Sequence, residues 1–273
     1  MKNLAKTRVA VIGAGKIGSI LLQAMFDKKL LSKPNVRVTV QHAEKVKNLQ
    51  KSLGVSAGNN NVDAVRDTDI VLICVKPQTV EQVLEQIAPV LTKKQLLISV
   101  AASVPTEFME KRLPIEARII RAMPNTPSML GSGMTAICKG RFAHANDLEL
   151  ARTLFDTVGR TVTVDEKHMD AITGLSASGP AFIYIILESL AEAGVKVGLP
   201  RDLATLLAAQ TTMGASRMVL ETGAHPALLK DAVTTPAGCT IDGILELEEG
   251  KLRVTLIKAV VKAAQRAKEL VFS

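Results

Sequence analysis

The β-branched run Arg8-Val9-Ala10-Val11-Ile12 stops at Gly13. Gly13-Ala14-Gly15-Lys16-Ile17-Gly18 then leads into a stretch whose apolar residues Ile17, Ile20, Leu21, Ala24 and Met25 recur as on one helix face. A GxGxxG set between a strand and a helix constrains the fold more than any other feature of the chain. Gly13 permits a tight turn, Gly15 lets the backbone approach a pyrophosphate, and Gly18 lets helix and strand pack closely. The free N–H groups at the helix N-terminus face the phosphates. In this context the motif predicts a dinucleotide site, the other reading being a Gly-rich turn without a ligand.

Val36 to Val40, Ile70 to Val75, Leu96 to Val100, Arg118 to Arg121, Met134 to Cys138 and Thr161 to Val164 read as further strands. Helical stretches at about 44 to 52, 61 to 67 and 78 to 88 lie between the earlier ones. Strand and helix alternating in this way predict an α/β domain over residues 1–165, a Rossmann-like, doubly wound parallel sheet. After Asp165 strand runs disappear. Apolar residues recur at helical spacing from Ala181 to Val197, Leu203 to Leu220 and Val254 to Leu270, so 166–273 is expected to be all-helical. Ile183, Ile185, Ile186 and Leu187 point all round their helix. About 108 residues cannot easily hide so wide an apolar surface, which predicts packing against a second subunit.

The 273 residues carry 34 Lys plus Arg against 26 Asp plus Glu, a net charge of +8. Residues 1–165 hold a net +9 and residues 166–273 a net −1, so the whole excess lies in the half with GxGxxG and suits a phosphate-bearing ligand. A nucleic-acid partner is not expected: Trp is absent and Tyr184 is the single tyrosine, which leaves few platforms for stacking bases. Cys74, Cys138 and Cys239 show no CxxC spacing, and His42, His144, His168 and His225 show no HExxH, so no metal site is indicated. No uninterrupted apolar run reaches about 18 residues, and Arg8 and Lys16 closely flank the first apolar stretch. The expectation is a cytoplasmic protein without a membrane span.

The tip of the second strand reads Val40-Gln41-His42-Ala43, followed by Glu44-Lys45, and the tip itself lacks the carboxylate that bonds the ribose 2′-OH of NAD. His42 and Lys45 suit a 2′-phosphate, which favours NADPH, with NADH still open. The other reading makes them surface charges opening the next helix. Val75-Lys76-Pro77-Gln78 leaves a later strand tip where cofactor lies in such sheets, although Lys76 alone reads as a helix-start surface residue. Asn59-Asn60-Asn61 is open in the same way, because Asn is an ordinary N-cap. Arg121 to Pro127, and Ser176 to Ala181 with Pro180 near a helix start, read as a rigid loop and a cap. In Thr234-Thr235-Pro236-Ala237-Gly238-Cys239-Thr240, ahead of an apolar helix expected from Ile241, the N–H groups of Gly238, Cys239 and Thr240 could form a carboxylate site. That reading and a plain cap weigh equally.

Together these segments, with Asp170 to Ser176, Ser178 to Phe182, His225-Pro226 and Lys230 to Thr240, resemble the pyrroline-5-carboxylate reductase family, in the family's order and over nearly the whole chain. The resemblance implies an NADPH- or NADH-dependent enzyme that reduces L-1-pyrroline-5-carboxylate to L-proline, the last step of proline biosynthesis. It also implies a helical domain that dimerises, an active site across the subunit interface and, in some members, a decamer of five dimers. Carried over by position, Gly13, Ala14, Gly15, Lys16, Ile17 and Gly18 cradle the pyrophosphate, Asn61 lies by the adenosine, and Val75, Lys76 and Pro77 lie along ribose and nicotinamide. Met123 and Asn125 border the nicotinamide pocket. Thr235, Gly238 and Cys239 take the substrate carboxylate, and the Thr240 hydroxyl, the one catalytic group implied, faces the ring nitrogen. A related NADP-dependent imine or ketone reductase and a non-catalytic NADPH sensor are the alternatives. Ser103, Ala177, Thr235 and Ala237 depart from the family's usual Gly, Gly, Ser and Gly. A positive φ at Ala177 or Ala237 would be costly.

Overall fold

The structure, a computed structural model, describes residues 4–270; residues 1–3 of the first expected domain and 271–273 of the second lie outside the described residues. It contains β1 (Val9–Ile12), α1 (Lys16–Asp27), β2 (Val36–Thr39), α2 (Val46–Leu53), β3 (Ser56–Gly58), α3 (Asn61–Val65) and β4 (Ile70–Ile73). These are followed by α4 (Val80–Ile87), β5 (Leu96–Ser99), α5 (Thr106–Glu110), β6 (Arg118–Met123), β7 (Gly133–Lys139), α6 (Ala145–Phe155) and β8 (Gly159–Thr163).

The strands form one sheet in the order β3-β2-β1-β4-β5-β6-β7-β8. The order reverses direction between β1 and β4, and in an open α/β sheet a ligand crevice opens at that point. Alternate residues of the central strands enter two separate cores. Val9, Val11, Ile70 and Leu72 pack on one face, and Ala10, Ile12, Val71 and Ile73 on the other. Burial on both faces explains why these strands read as unbroken apolar runs.

Every strand pair is parallel except β6 with β7. A parallel crossover needs a dozen or more residues, and the link between β6 and β7, residues 124–132, holds only a short helical turn at Thr126–Leu130. The sheet is therefore mostly parallel: β1 to β6 share one direction, and the edge pair β7 and β8, parallel to each other, runs the opposite way. Sequence reading also missed β3, whose three residues include Ala57 and Gly58 and carry no β-branched signal, and the short helices α5 and α6.

The chain divides into two compact units, one reaching Ala177 and including the stretch from Ala263, the other Ser178–Lys262. α7 (Met169–Ile172) and a π-helical turn at Thr173–Ala177 belong to the first. Met169 is buried with Ala136 and Cys138 of β7, and Gly174 lies so close to Ala264 that a Cβ would stand 2.6 Å from its backbone nitrogen. The second unit holds α8 (Gly179–Lys196), α9 (Arg201–Thr222), α10 (Pro226–Ala232), α11 (Cys239–Glu249) and the first part of α12 (Leu252–Glu269).

α8 and α9 pair through small residues, their only buried side chains being Ala191, Ala204 and Ala208. Large apolar residues face outward, among them Ile183, Tyr184, Ile185, Leu206 and Leu220. By length and composition the helical run Glu166–Lys196 meets the requirement for crossing a membrane. Counting only uninterrupted apolar runs had hidden it, because a few charges and hydroxyls break up the sequence while the helix stays apolar on average.

Candidate functional site

Beside the switch point the first unit contains a cleft of about 820 Å³, lined by Gly13, Ala14, Gly15, His42, Lys45, Asn61, Val75 and Lys76 among others. Eight of the expected cofactor residues from four separate segments therefore share one surface. Lys16, Ile17 and Gly18 do not line it but form the adjoining first turn of α1. Pro77 opens the helical turn Pro77–Thr79, and Met123 and Asn125 lie at and beyond the end of β6.

The three glycines differ in what they allow. Gly13 has φ 81°, and a Cβ there would stand 2.5 Å from Val75 Cγ1. A Cβ on Gly18 would press at 3.2–3.4 Å on Gly13 O, Cys74 Cβ and Val11 Cγ1, while one on Gly15 would meet only Gly13 O, at 4.0 Å. Turn, close packing and open approach are thus separated residue by residue. α1 has Gly15 as its N-cap, no side-chain cap and no acidic residue in its first turn, so its leading N–H groups are left to an anion. This cradle fits a dinucleotide pyrophosphate.

Among the described residues no Asp or Glu lines the cleft, whereas His42, Lys45 and Lys76 do. His42 precedes the helical turn Ala43–Lys45 after β2 and Lys45 ends it, and Glu44 reaches His42 Nδ1 at 3.8 Å from a largely exposed position. Of the three asparagines at 59–61, Asn59 and Asn61 line the cleft and Asn60 does not. Asn60 caps α3, its Oδ1 accepting from the amides of Val62 and Asp63. With Asn60 at the cap, the Asn61 side chain turns to the cleft, where it bonds Thr39 and Gln86.

Asn125 is held structurally. Its Oδ1 accepts from the Met134 amide at 2.9 Å and its Nδ2 donates to the Ser176 carbonyl at 3.2 Å, tying the loop after β6 to β7 and to the π-turn. Nearby, Arg121 is buried, with Glu166 at 3.4 Å and Asp170 at 3.3 Å. Glu166 also accepts from the amide and hydroxyl of Thr106 at 2.7 and 2.5 Å. This network, which the sequence did not expose, anchors the strand that leads to Met123.

The second unit carries the Thr235–Thr240 loop. Gly238 caps α11, which begins at Cys239 rather than Ile241 because the glycine is extended at φ −80°, ψ 159° and the helix starts directly after it. The Gly238 amide donates to the Thr235 carbonyl at 3.1 Å. Gly238 lies so close to Thr235 Oγ1 that a Cβ would come within 2.4 Å of it. α11 has no side-chain cap, though Asp242 occupies its first turn. Ser103 and Ala237 both adopt positive φ, 60° and 56°, whereas Ala177 is helical. Among the described residues no group of three His, Cys, Asp or Glu side chains is placed to hold a metal.

The profile described as "Pyrroline-5-carboxylate reductase dimerisation" matches residues 166–270, and one described as "NADP oxidoreductase coenzyme F420-dependent" matches residues 8–103. A pyrroline-5-carboxylate reductase of Methanosarcina acetivorans is 42% identical over 263 residues, 96% of this chain and 97% of that one. The Glycine max enzyme of the same name is 43% identical over 95% of this chain and 94% of its own. Among solved structures, the Coxiella burnetii pyrroline-5-carboxylate reductase superposes with TM-score 0.90 at 34% identity over 98% and 99% of the two chains. A Plasmodium falciparum pyrroline carboxylate reductase with NADP bound gives TM-score 0.88 at 30% identity over 98% and 99%.

Proposed function

The chain belongs to the pyrroline-5-carboxylate reductase family, and from that premise we propose that it uses NADPH in preference to NADH and acts as a homodimer at least. It is an NAD(P)H-dependent oxidoreductase that reduces the C=N bond of L-1-pyrroline-5-carboxylate to give L-proline. The cofactor preference rests on one observation above all: the cleft built on the GxGxxG turn is lined by His42, Lys45 and Lys76 and, among the described residues, by no carboxylate. A 2′-phosphate gains from cations there, whereas the NAD ribose gains from an acid.

Bound nicotinamide supplies the hydride. A protonated C=N is already electrophilic, so the protein's task is alignment more than strong acid catalysis. In this reading the Cys239 amide and the Thr235 hydroxyl take the substrate carboxylate, while the Gly238 amide, which donates to the Thr235 carbonyl, closes the turn that presents them. The Thr240 hydroxyl bonds the ring nitrogen and holds its proton, which leaves no need for a His or Asp dyad. Met123 and the segment Val75 to Pro77 border the nicotinamide, with Asn125 fixing the loop behind Met123. The helical part from residue 166 carries dimerisation and substrate binding. The exposed apolar residues of α8 and α9, and the membrane-length run containing α8, are then covered by a second copy rather than by lipid.

Comparison of kcat/KM with the two cofactors tests the preference. NADPH is expected to win; a clear advantage for NADH removes the role given to His42 and Lys45.

A further inference from the structure

Three side chains in the cleft form a relay. Thr39 ends β2 and is 2% exposed. Its carbonyl accepts from the amides of Gly13 at 3.0 Å and Ala14 at 2.9 Å. Its hydroxyl donates to Asn61 Oδ1 at 2.7 Å, and Asn61 Nδ2 donates to Gln86 Oε1 at 2.7 Å from α4. One residue therefore grips the glycine turn with its main chain and Asn61 with its side chain.

The relay also fixes which way the Asn61 amide points. A carboxamide offers two N–H groups and two lone pairs. Thr39 occupies one lone pair and Gln86 one N–H, which leaves one of each. A ribose hydroxyl both donates and accepts, so it matches what remains. Without the Thr39 hydroxyl Asn61 is held at one end only, and its amide is free to turn over.

We propose that Thr39 is a positioning residue for the cofactor, setting the glycine turn in register with Asn61 so that pyrophosphate and a ribose hydroxyl are met together. Gln86 completes the relay from the far side. The inference rests on the dinucleotide reading of the cleft and adds to it residues that make no claim on the ligand themselves.

Thr39→Val removes the hydroxyl, keeps the shape and leaves the carbonyl in place. NADPH titration of the purified protein should show Kd raised about tenfold, the worth of one hydrogen bond. KM for NADPH should rise in parallel, with kcat at saturating cofactor retained and the unfolding midpoint of the free protein near that of the parent. Thr39→Ser should restore binding. Gln86→Met, at an exposed position, should raise Kd about threefold and carries the test if the valine variant does not fold. Binding by the valine or methionine variant within experimental error of the parent overturns the proposal, as does equal loss in the valine and serine variants. A parent that binds neither NADPH nor NADH is a different failure, visible before any substitution is made, and overturns the cofactor reading itself.

Discussion

The Gly238 amide donates to the Thr235 carbonyl at 3.1 Å, closing a four-residue turn whose third member, Ala237, has φ 56°. Pro at the second position and positive φ at the third define a type II turn, whose third place belongs to glycine. An L-residue there costs about 1–2 kcal/mol, partly offset because alanine has less freedom to lose on folding. Ala237→Gly is expected to stabilise the protein by about 0.5–1 kcal/mol in chemical denaturation. Ser103→Gly should gain more, because Ser103 is buried at φ 60° and its hydroxyl has no partner. A loss of stability in both variants contradicts the left-handed geometry assigned to these positions.

Lys45→Ala should lower the ratio of kcat/KM for NADPH to that for NADH by about tenfold, the worth of one charge-assisted hydrogen bond to phosphate. NADH kinetics should stay close to the parent's. An unchanged ratio would make Lys45 a surface charge.

The cysteines divide by burial. Burial pushes the Cys74 thiol from its ordinary 9.0 up to about 12; burial first and the Glu166 carboxylate second do the same for Cys138. The folded protein therefore keeps protons that the unfolded chain releases from about pH 9. The stability tied to these thiols is present below pH 9 and lost as pH rises towards 12. Melting temperature should fall across that window, and less steeply in Cys138→Ala. At neutral pH iodoacetamide should modify Cys239, which is exposed beside Thr240, and spare the other two.

Much of this was legible from residue types alone. The GxGxxG roles followed from spacing, because turn, approach and packing each demand a missing Cβ at a fixed place. Three consecutive asparagines could not be told apart, since the capping rule favours the residue before a helix while the start of α3 moves by one within that run. Asn60 takes the cap, and Asn59 and Asn61 line the cleft. Thr39 drew no notice because a threonine closing a strand looks like any half-polar strand end; only the Asn61 contact distinguishes it. The reversal of β7, and of β8 parallel to it, lay beyond the strand pattern, which carries no direction, although the short link from β6 forbade a parallel crossover. The Arg121 network joins residues 45 and 49 positions apart, which no local pattern encodes.

Thr240→Ala should reduce kcat about a hundredfold, the scale of a lost proton-positioning group, while NADPH affinity stays within twofold. A parallel loss of cofactor binding would place Thr240 in the architecture of the fold rather than in the chemistry.

The central claim is most directly tested by mixing the purified chain with NADPH and L-1-pyrroline-5-carboxylate and following reduced-cofactor absorbance together with L-proline formed. The account predicts one L-proline for each NADPH oxidised, with no oxidation when the imine is left out. A folded protein that binds NADPH and forms no L-proline contradicts it.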